Sequence, residues 1–504
     1  MFQVFYRESL ENFKEELEKN IKFSFIANKK TFIDNILKSI IYYADNIVAP
    51  IICWQIYLDK SEDLLKGDNS FKRFNYFVKL RKNNLLSLYP EIEKLLFNFL
   101  QEEKNFILYT LENIQENHRQ IINFFNLKNN SKIESIIYNR AVDRHYKGKK
   151  TIFLKFTDKK YLKVKPYIFS YQPLFNFILK KFNSDNNKNL TLPKSLKIKN
   201  FWIAEFVTVK NKNIDKNTAK KFYQNLGNLW GLVFALNGCD FHMENIIAQG
   251  WKPIILDTET FFTNYSAYKN KRLLNSLLPT GFIENNHKQP TSAILGGNKK
   301  LISLVQPIIL YKNSDRIRIK FRTLSKIKPN NRIFKSNKKL WNPKIFKNDI
   351  IKGFKEAYLW IEKNRDYVLN LISTSYTPIF SRVILRKTSF YSLLIQHVLQ
   401  PLNFPLKNFE VKLKITLREN SKRFHNNYYQ KDFKKIIDYE IDNIKNLSIP
   451  IFWQNIKENN LYSEKFVYKN FFKKTAFDLL IEKFSQLTQT KLKYYIKKIE
   501  KYLK

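Results

Sequence analysis

The 504-residue sequence predicts an α+β fold, because helical and strand patterns occupy different parts of the chain. In residues 1–130 apolar side chains recur at three- and four-residue spacing, which is typical of helices that bury one face. From about residue 131 to 210 the pattern changes to short strands. We therefore divide the chain into a helical N-terminal region (1–130), a central core (131–270), and a loop-rich region followed by a mostly helical C-terminal part (271–504).

Two strands of the central region form a predicted β-hairpin. Residues 151–156 and 161–165 both alternate apolar and polar side chains, and a polar turn joins them. Lys165 ends the second strand, because Pro166 follows it. This position corresponds to that of the phosphate-binding lysine of kinases, which makes Lys165 a candidate for contacting a nucleotide. The chain has 89 basic residues, so a surface lysine without a function is the alternative.

A motif of the form D-x-H-x-E-N runs from Asp240 to Asn245, directly after an amphipathic helix predicted over residues 218–236. Asp257 follows the apolar run 253–256, which has the pattern of a buried strand. In phosphotransfer sites one Asp positions the accepting hydroxyl, an Asn five residues later binds a metal, and another Asp holds the metal that bridges the ATP phosphates. His242 brings the motif closer to the lipid-kinase pattern D-R-H-x-x-N. The alternative is a polar surface loop beside a core strand.

Composition limits the class of protein further. Cys53 and Cys239 are far apart and form neither a disulfide framework nor a zinc-binding spacing, which fits a reducing compartment. The N-terminus lacks a signal-peptide pattern and no apolar run reaches ~18 residues, so we expect a cytoplasmic protein without a transmembrane segment. The net charge of +45 would attract ATP, acidic peptides, nucleic acid or anionic membranes. The excess of Lys, Asn and Ile is also typical of an AT-rich genome, so charge alone does not choose a partner.

A second constellation, R-x-x-x-R-x-T-x-x-Y, contains Arg382, Arg386, Thr388 and Tyr391. At this spacing the four side chains could share one helix face. Arginine binds phosphate through two parallel hydrogen bonds and keeps its charge, so the face could clamp a leaving phosphate. The alternative is an ordinary amphipathic helix with its basic residues directed to solvent.

Together these motifs resemble the N-terminal dehydratase domain of class II lanthipeptide synthetases, the LanM type, over roughly residues 90–460. The D-x-H-x-E-N motif, Asp257-x-Glu259 and R-x-x-x-R-x-T-x-x-Y are the most specific matches. Three further segments also resemble motifs of the family, and two of them carry substitutions. They are Asp143-Arg-His145 with Gly148, the segment 162–167 with Val164 and Tyr167 in a Y-K-P-R pattern, and 448–452 with Ser448 in D-I-P-Y-F.

The resemblance implies a lipid-kinase-like two-lobed core with helical additions. It implies that the protein phosphorylates Ser and Thr of a ribosomally made precursor peptide with a leader segment, using ATP and Mg2+. Phosphate elimination then leaves dehydroalanine or dehydrobutyrine. By position, the resemblance assigns catalysis of phosphorylation to Asp240, His242, Asn245 and Asp257, and elimination to Asp143, His145, Arg382, Arg386, Thr388 and Tyr391. It assigns nucleotide binding to Lys165, Asp240, Asn245, Asp257 and Glu259, and the metal to Asn245 and Asp257.

The sequence leaves three functions open. The first is a stand-alone lanthipeptide-type dehydratase, for which we expect no ring-closing activity and, where rings form, a separate cyclase. The second is a lipid-kinase-like protein kinase or small-molecule kinase without elimination. The third is a non-catalytic basic protein that binds nucleic acid or membrane, although we expect no nucleic-acid partner because such a protein would not need the acidic motif. For elimination, His145 has an intrinsic pKa suited to proton abstraction at Cα.

Overall fold

The computed structural model describes residues 2–138, 143–167, 172–199, 201–284, 291–296, 305–323, 329–424 and 433–504. Helices and strands are both extensive in these ranges, which confirms the α+β class. Parts of the predicted loop-rich region, residues 285–290, 297–304 and 324–328, lie outside the described residues. The three predicted domain ranges and the two-lobed lipid-kinase-like arrangement stay predictions.

The N-terminal region is helical, as predicted. Its second helix is capped by Asn28, whose side chain accepts a hydrogen bond of 2.9 Å from the Thr31 N–H and so satisfies one free donor of the first turn. The helices are α1 Arg7–Asn20, α2 Lys29–Ser61, α3 Ser70–Arg81, α4 Pro90–Glu116 and α5 His118–Phe124.

A five-stranded antiparallel sheet follows, with the strand order β1-β2-β3-β5-β4. The predicted hairpin is its centre, and the alternation of β3 buries Leu162 and Val164 on one face while Lys163 and Lys165 lie on the other. The strands are β1 Ile133–Ile137, β2 Ile152–Phe156, β3 Tyr161–Lys165, β4 Ser195–Ile198 and β5 Phe201–Glu205.

One helix in this region was not predicted. Helix α6, Gln172–Asn186, lies between β3 and β4 and includes the first half of the segment 183–190, which the sequence analysis interprets as a polar linker. Its buried residues follow helical spacing, so the pattern was present but short. The apolar ones are Phe175, Ile178, Leu179 and Phe182, and Gln172 is buried as well.

The predicted helix before the acidic motif is α7, Lys216–Ala235, and it packs closely against α8, Lys347–Lys363. Glycines permit this approach. A Cβ atom at Gly353 would lie 1.9 Å from the Gln224 carbonyl oxygen, which is far inside van der Waals contact. The hairpin β6 Ile246–Gln249 and β7 Lys252–Ile255 follows α7 and leads directly to Asp257.

The C-terminal part is mostly helical, as predicted, but it also contains a four-stranded sheet with the order β10-β11-β12-β13. The hairpin β8–β9 was not predicted either. The strands are β8 Val305–Leu310, β9 Arg318–Thr323, β10 Phe380–Val383, β11 Phe452–Asn455, β12 Leu461–Tyr462 and β13 Val467–Tyr468. The remaining helices are α9 Arg365–Ser373, α10 Thr388–Val398, α11 Leu406–Asn420, α12 Phe433–Lys445, α13 Ala476–Ser485 and α14 Gln489–Tyr502.

Two hydrophobic clusters hold these elements together. One joins α1–α5 and the five-stranded sheet with α10–α12, and the other joins α6–α9 and the β6–β7 hairpin with α13 and α14. Among the described residues α2 alone is long and apolar enough to span a bilayer by length and composition, and half of its most apolar stretch is buried in the structure. A buried core helix has the same composition, so the expectation of no transmembrane segment stays a prediction.

Candidate functional site

The loop that carries Asp240 is fixed by a second backbone segment. The Asp240 N–H donates to the Pro279 carbonyl at 3.0 Å, and the Phe241 N–H donates to the Thr280 carbonyl at 2.9 Å. Asp240 has φ of 66°, a left-handed conformation that non-glycine residues rarely adopt and that often occurs at functional sites. Gly281 also has positive φ, 80°, and a Cβ there would lie 2.8 Å from the Phe241 carbonyl carbon.

His242 lies beside Asp240. Its Nδ1 accepts a hydrogen bond of 3.2 Å from the Glu244 N–H, so the ring proton of the neutral imidazole is on Nε2. That Nε2 lies 3.7 Å from Asp240 Oδ1, close enough to orient the carboxylate electrostatically. The two side chains therefore form one unit at the start of the motif.

The β6–β7 hairpin brings Asn245 and Asp257 to the same edge. Ile246 pairs with Ile255, and the Leu256 N–H donates to the Asn245 carbonyl at 2.9 Å, so the residues flanking the hairpin are adjacent. The Asn245 side-chain nitrogen donates to the Asp240 carbonyl at 2.7 Å. Its amide oxygen is consequently the atom that remains to bind a cation.

Lys165 reaches this edge from the five-stranded sheet. Its Nζ lies 3.2 Å from Asp257 Oδ1 and donates to the Leu256 carbonyl at 3.1 Å. Burial alone would raise the pKa of Asp257, but Lys165 and Lys163 outweigh it and hold that pKa below its ordinary value. Asp257 is therefore a carboxylate at neutral pH, the form that binds a metal.

This donor set fits Mg2+. Within the described ranges no three His, Cys, Asp or Glu side chains form a metal cage. Mg2+ at nucleotide sites needs no cage, because it binds through one or two protein oxygens together with phosphate oxygens and water. The Asn245 amide oxygen and the Asp257 carboxylate are hard oxygen donors of the required kind.

Glu259 connects Asp257 to Arg382. The Glu259 N–H donates to Asp257 Oδ1 at 3.2 Å, and the Arg382 guanidinium donates to the Glu259 carboxylate. The Arg382 N–H also donates to the Glu259 carbonyl at 2.7 Å, so β10 is attached to the segment that follows β7. Burial and Asp257 raise the pKa of Glu259, whereas Arg382 and Lys165 lower it.

Asp143 and His145 lie close to the same arginine. Burial raises the pKa of Asp143, with contributions from Asp240 and Glu244, and Arg382 opposes them. His145 is buried, and its Nδ1 lies 2.8 Å from the Ile449 carbonyl, which can only accept, so Nδ1 carries the ring proton. Burial and the positive charge of Arg382 lower the pKa of His145 to about 3. The suitable intrinsic pKa that the sequence suggested is therefore not retained in the fold.

The second constellation does not share a helix face, which corrects the sequence-based interpretation. Arg382 lies on β10, Arg386 lies in the following connection, and Thr388 is the first residue of α10. The four-residue strand pairs with β11, a partner about seventy residues away that local spacing cannot reveal. Arg382, Arg386, Thr388 and Tyr391 nevertheless line one small cavity of about 10 Å³.

Arg386 and Tyr391 are bound to a residue that the sequence analysis did not identify. Arg386 donates to both carboxylate oxygens of Glu440, at 2.7 and 2.8 Å, and Tyr391 donates to the same carboxylate at 2.5 Å. All three side chains are buried. Glu440 occupies an apolar-face position of α12 in phase with Ile436 and Ile444, a signal that a charged partner is buried there.

Lys163 is the other residue that was missed. It lies two residues before Lys165 on the same face of β3. Burial and the charge of Lys165 lower the pKa of Lys163, and the charges of Asp257 and Glu259 partly oppose this shift. The alternation of β3 was a sufficient signal, because residues at i and i+2 of a strand point to the same side.

Fold and site together define an α+β protein in which Lys165, Asp257, Glu259 and Arg382 form one chain of contacts between the five-stranded sheet and β10. The sequence profile of a family described as "Domain of unknown function (DUF4135)" matches residues 89–455, and the chain belongs to this family.

The chain is also similar to a named protein, the "Lacticin 481/lactococcin biosynthesis protein LcnDR2" of Lactococcus lactis subsp. lactis. The two sequences are 26% identical over 488 residues, which cover 88% of this chain and 50% of that protein. The chain thus spans about half the length of this curated relative.

Proposed function

We propose that this protein is a lanthipeptide-type dehydratase, which phosphorylates Ser and Thr of a ribosomal precursor peptide and then eliminates the phosphate. One observation carries the proposal: Asp257 pairs with Lys165, and Glu259, two residues later, pairs with Arg382. A hydroxyl phosphorylated beside Asp257 would already be close to Arg382. The printed name of the Lactococcus relative, a lacticin and lactococcin biosynthesis protein, supports the same class of substrate.

In the phosphorylation step, Asp240 would orient the accepting hydroxyl, and His242 would hold the carboxylate in place. Lys165 would bind phosphate oxygens, and Asn245 and Asp257 would hold the metal. Bound Mg2+-ATP supplies the phosphoryl group, and the metal offsets charge on the phosphate oxygens. The protein's contribution is to hold these groups in line before the reaction.

In the elimination step, a base removes the proton at Cα, the Cβ–O bond breaks with its electron pair leaving on phosphate, and a Cα=Cβ double bond remains. Arg382 would bind the leaving phosphate by exchanging its contact with Glu259 for one with phosphate oxygens. Asp143 is a better proton acceptor than His145, because burial raises the pKa of Asp143 while that of His145 falls to about 3.

The test is incubation of the protein with ATP, Mg2+ and precursor peptides encoded beside its gene, followed by mass spectrometry. Loss of one water per modified residue supports dehydration. The variant Asp257→Ala should yield unmodified peptide, because no phosphate ester forms without the metal-binding carboxylate. Unchanged peptide mass with every neighbouring precursor would contradict the proposal.

A kinase without elimination is the second candidate, and the buried network around Glu440 favours it. Because Arg386 and Tyr391 are bound to Glu440, only Arg382 of the four motif residues remains as a charged group for phosphate. A synthetic phosphoserine peptide separates the candidates, since a dehydratase should convert it to the dehydroalanine peptide without γ-phosphoryl transfer. A plain kinase should leave it intact and, with ATP, should add a phosphoryl mass that persists.

A further inference from the structure

Lys163 lies on the same strand as Lys165, two residues before it. Lys163 and Lys165 project from the same face of β3, and on this face Lys163 lies opposite Phe153 of β2 and Ala204 of β5. Leu162 and Val164 are fully buried in the core on the other face, which excludes an orientation of Lys163 toward the core. The side chain therefore lies on the face of the sheet that Asp257 approaches.

The charges around Lys163 do not balance. Lys165 pairs with Asp257, and Arg382 pairs with Glu259. Within the part of the chain that the structure describes, the Lys163 side chain has neither an ion pair nor a hydrogen bond, although its backbone pairs with Phe153 and Ala204 in the sheet. Burial, followed by the charge of Lys165, lowers the pKa of Lys163 to about 8, although Asp257 and Glu259 act in the opposite direction. A half-buried cation whose side chain has no partner is costly, and an anion placed beside it would reduce that cost.

We propose that Lys163 is a second phosphate-binding lysine, which contacts the polyphosphate of the bound nucleotide together with Lys165. The inference rests on the proposed function, because it assumes that a nucleoside triphosphate binds beside Asp257. Lys165 and Arg382 neutralise Asp257 and Glu259 one for one, so these four side chains together bring no net positive charge to a triphosphate. Lys163 supplies the additional positive charge that a polyanion needs at this place.

The test compares ligands that differ only in phosphate. Binding of Mg2+-adenylyl imidodiphosphate and of adenosine is measured by isothermal titration calorimetry for the unaltered protein and for Lys163→Met. We expect affinity for the triphosphate analogue to fall about tenfold or more, as for loss of one charged hydrogen bond, with adenosine affinity unchanged. Lys163→Arg should retain most of the affinity, because it keeps the charge. Inorganic tripolyphosphate should displace the triphosphate analogue less well from Lys163→Met than from the unaltered protein.

Lys155→Met is the matched control. Lys155 lies on the same face of the sheet, on β2, but it is paired with Glu134 at 2.7 Å, so its removal should leave triphosphate affinity unchanged.

Equal losses for adenosine and for the triphosphate analogue would mean that Lys163 only supports the fold, and no loss for Lys163→Met would also overturn the inference. A Lys165→Met variant that loses triphosphate binding while Lys163→Met does not would sink this inference and leave the proposed function intact. Absence of nucleotide binding by the unaltered protein would instead overturn the proposed function.

Discussion

Arg382 is the residue that links the two proposed reactions. It is the charged member of the second constellation that contacts the segment carrying Asp257 and Glu259. Its charge opposes the rise that burial causes in the pKa of Asp143, and it contributes to the lowered pKa of His145. One guanidinium therefore contacts Glu259, beside the residues proposed for phosphate transfer, and acts electrostatically on the two residues proposed for proton abstraction. An arginine at that place can neutralise a leaving phosphate without moving away from the site of transfer.

The variant Arg382→Met should therefore separate the two steps. Phosphorylation should continue, whereas elimination should slow by about a hundredfold or more, the typical loss when one preorganised charge is removed. A time course followed by mass spectrometry should show phosphopeptide accumulating in place of dehydrated peptide. Arg119→Met, at an exposed position of α5, is the control and should behave like the unaltered protein. Normal dehydration by Arg382→Met would remove this residue from the elimination step.

His145 gives a prediction about stability and pH. Its pKa is about 3 in the folded state and about 6.5 in the unfolded state, so between these values the unfolded chain binds more protons. Stability must then rise with pH in that window, and the penalty at pH 5 relative to pH 7 is about 2 kcal/mol. Urea unfolding at several pH values should show that the free energy of unfolding of His145→Gln changes less with pH than that of the unaltered protein, because the glutamine side chain stays neutral. An identical slope for both proteins would show that His145 is not buried as a neutral imidazole.

At the scale of elements, the packing of α7 against α8 determines where the acidic motif begins. Gly353 lies where the Gln224 carbonyl passes, and Gly227 lies where the Ile350 carbonyl passes. A Cβ added at Gly227 would lie 2.1 Å from the Ile350 carbonyl oxygen. The two helices therefore approach through backbone rather than through side chains. Because α7 leads into Asp240 within a few residues, a change in this packing would displace the loop as well as weaken the core.

Gly353→Ala should destabilise the protein by about 1–3 kcal/mol, the usual cost of overpacking, because the added methyl group has no space between the helices. Chemical denaturation with circular dichroism measures the change. Gly250→Ala adds the same methyl group where nothing lies within 4 Å, so it carries only the backbone strain of its positive φ of 64°. A smaller effect at Gly353 than at Gly250 would contradict close packing of the two helices.

The elements that the sequence predicts well are those defined by local pattern. The β2–β3 hairpin and α7 contain enough alternating or periodic residues to indicate their type, and the acidic motif and Asp257 are linked by one short hairpin. Local spacing predicts a helix for the motif that contains Arg382, because β10 has only four residues and is stabilised by β11, far along the chain. Glu440 was missed for the same reason, since its partner Arg386 lies 54 residues away.

At the scale of the whole molecule, the charge distribution distinguishes the proposed catalytic site from a surface that would bind any polyanion. The chain carries a net charge of +45, yet the proposed site contains the carboxylates of Asp143, Asp240, Asp257 and Glu259. Positive charge spread over the surface attracts any polyanion, whereas the acidic cluster requires a bound metal before it accepts phosphate. The non-catalytic alternative uses only the surface charge and has no role for these acids.

This difference gives a test of the non-catalytic alternative. Heparin should bind the unaltered protein and Asp257→Ala with equal affinity, and both affinities should fall steeply with salt, because each contact releases counter-ions. Peptide phosphorylation should require Asp257 and should respond to salt mainly through KM, since long-range attraction is screened while the partly buried contacts of Lys165 and Asp257 are screened less. Fluorescence polarisation and initial rates across the same salt series measure the two quantities. If kcat fell with salt in parallel with heparin affinity, the surface charge and the acidic site could not be separate features of the molecule.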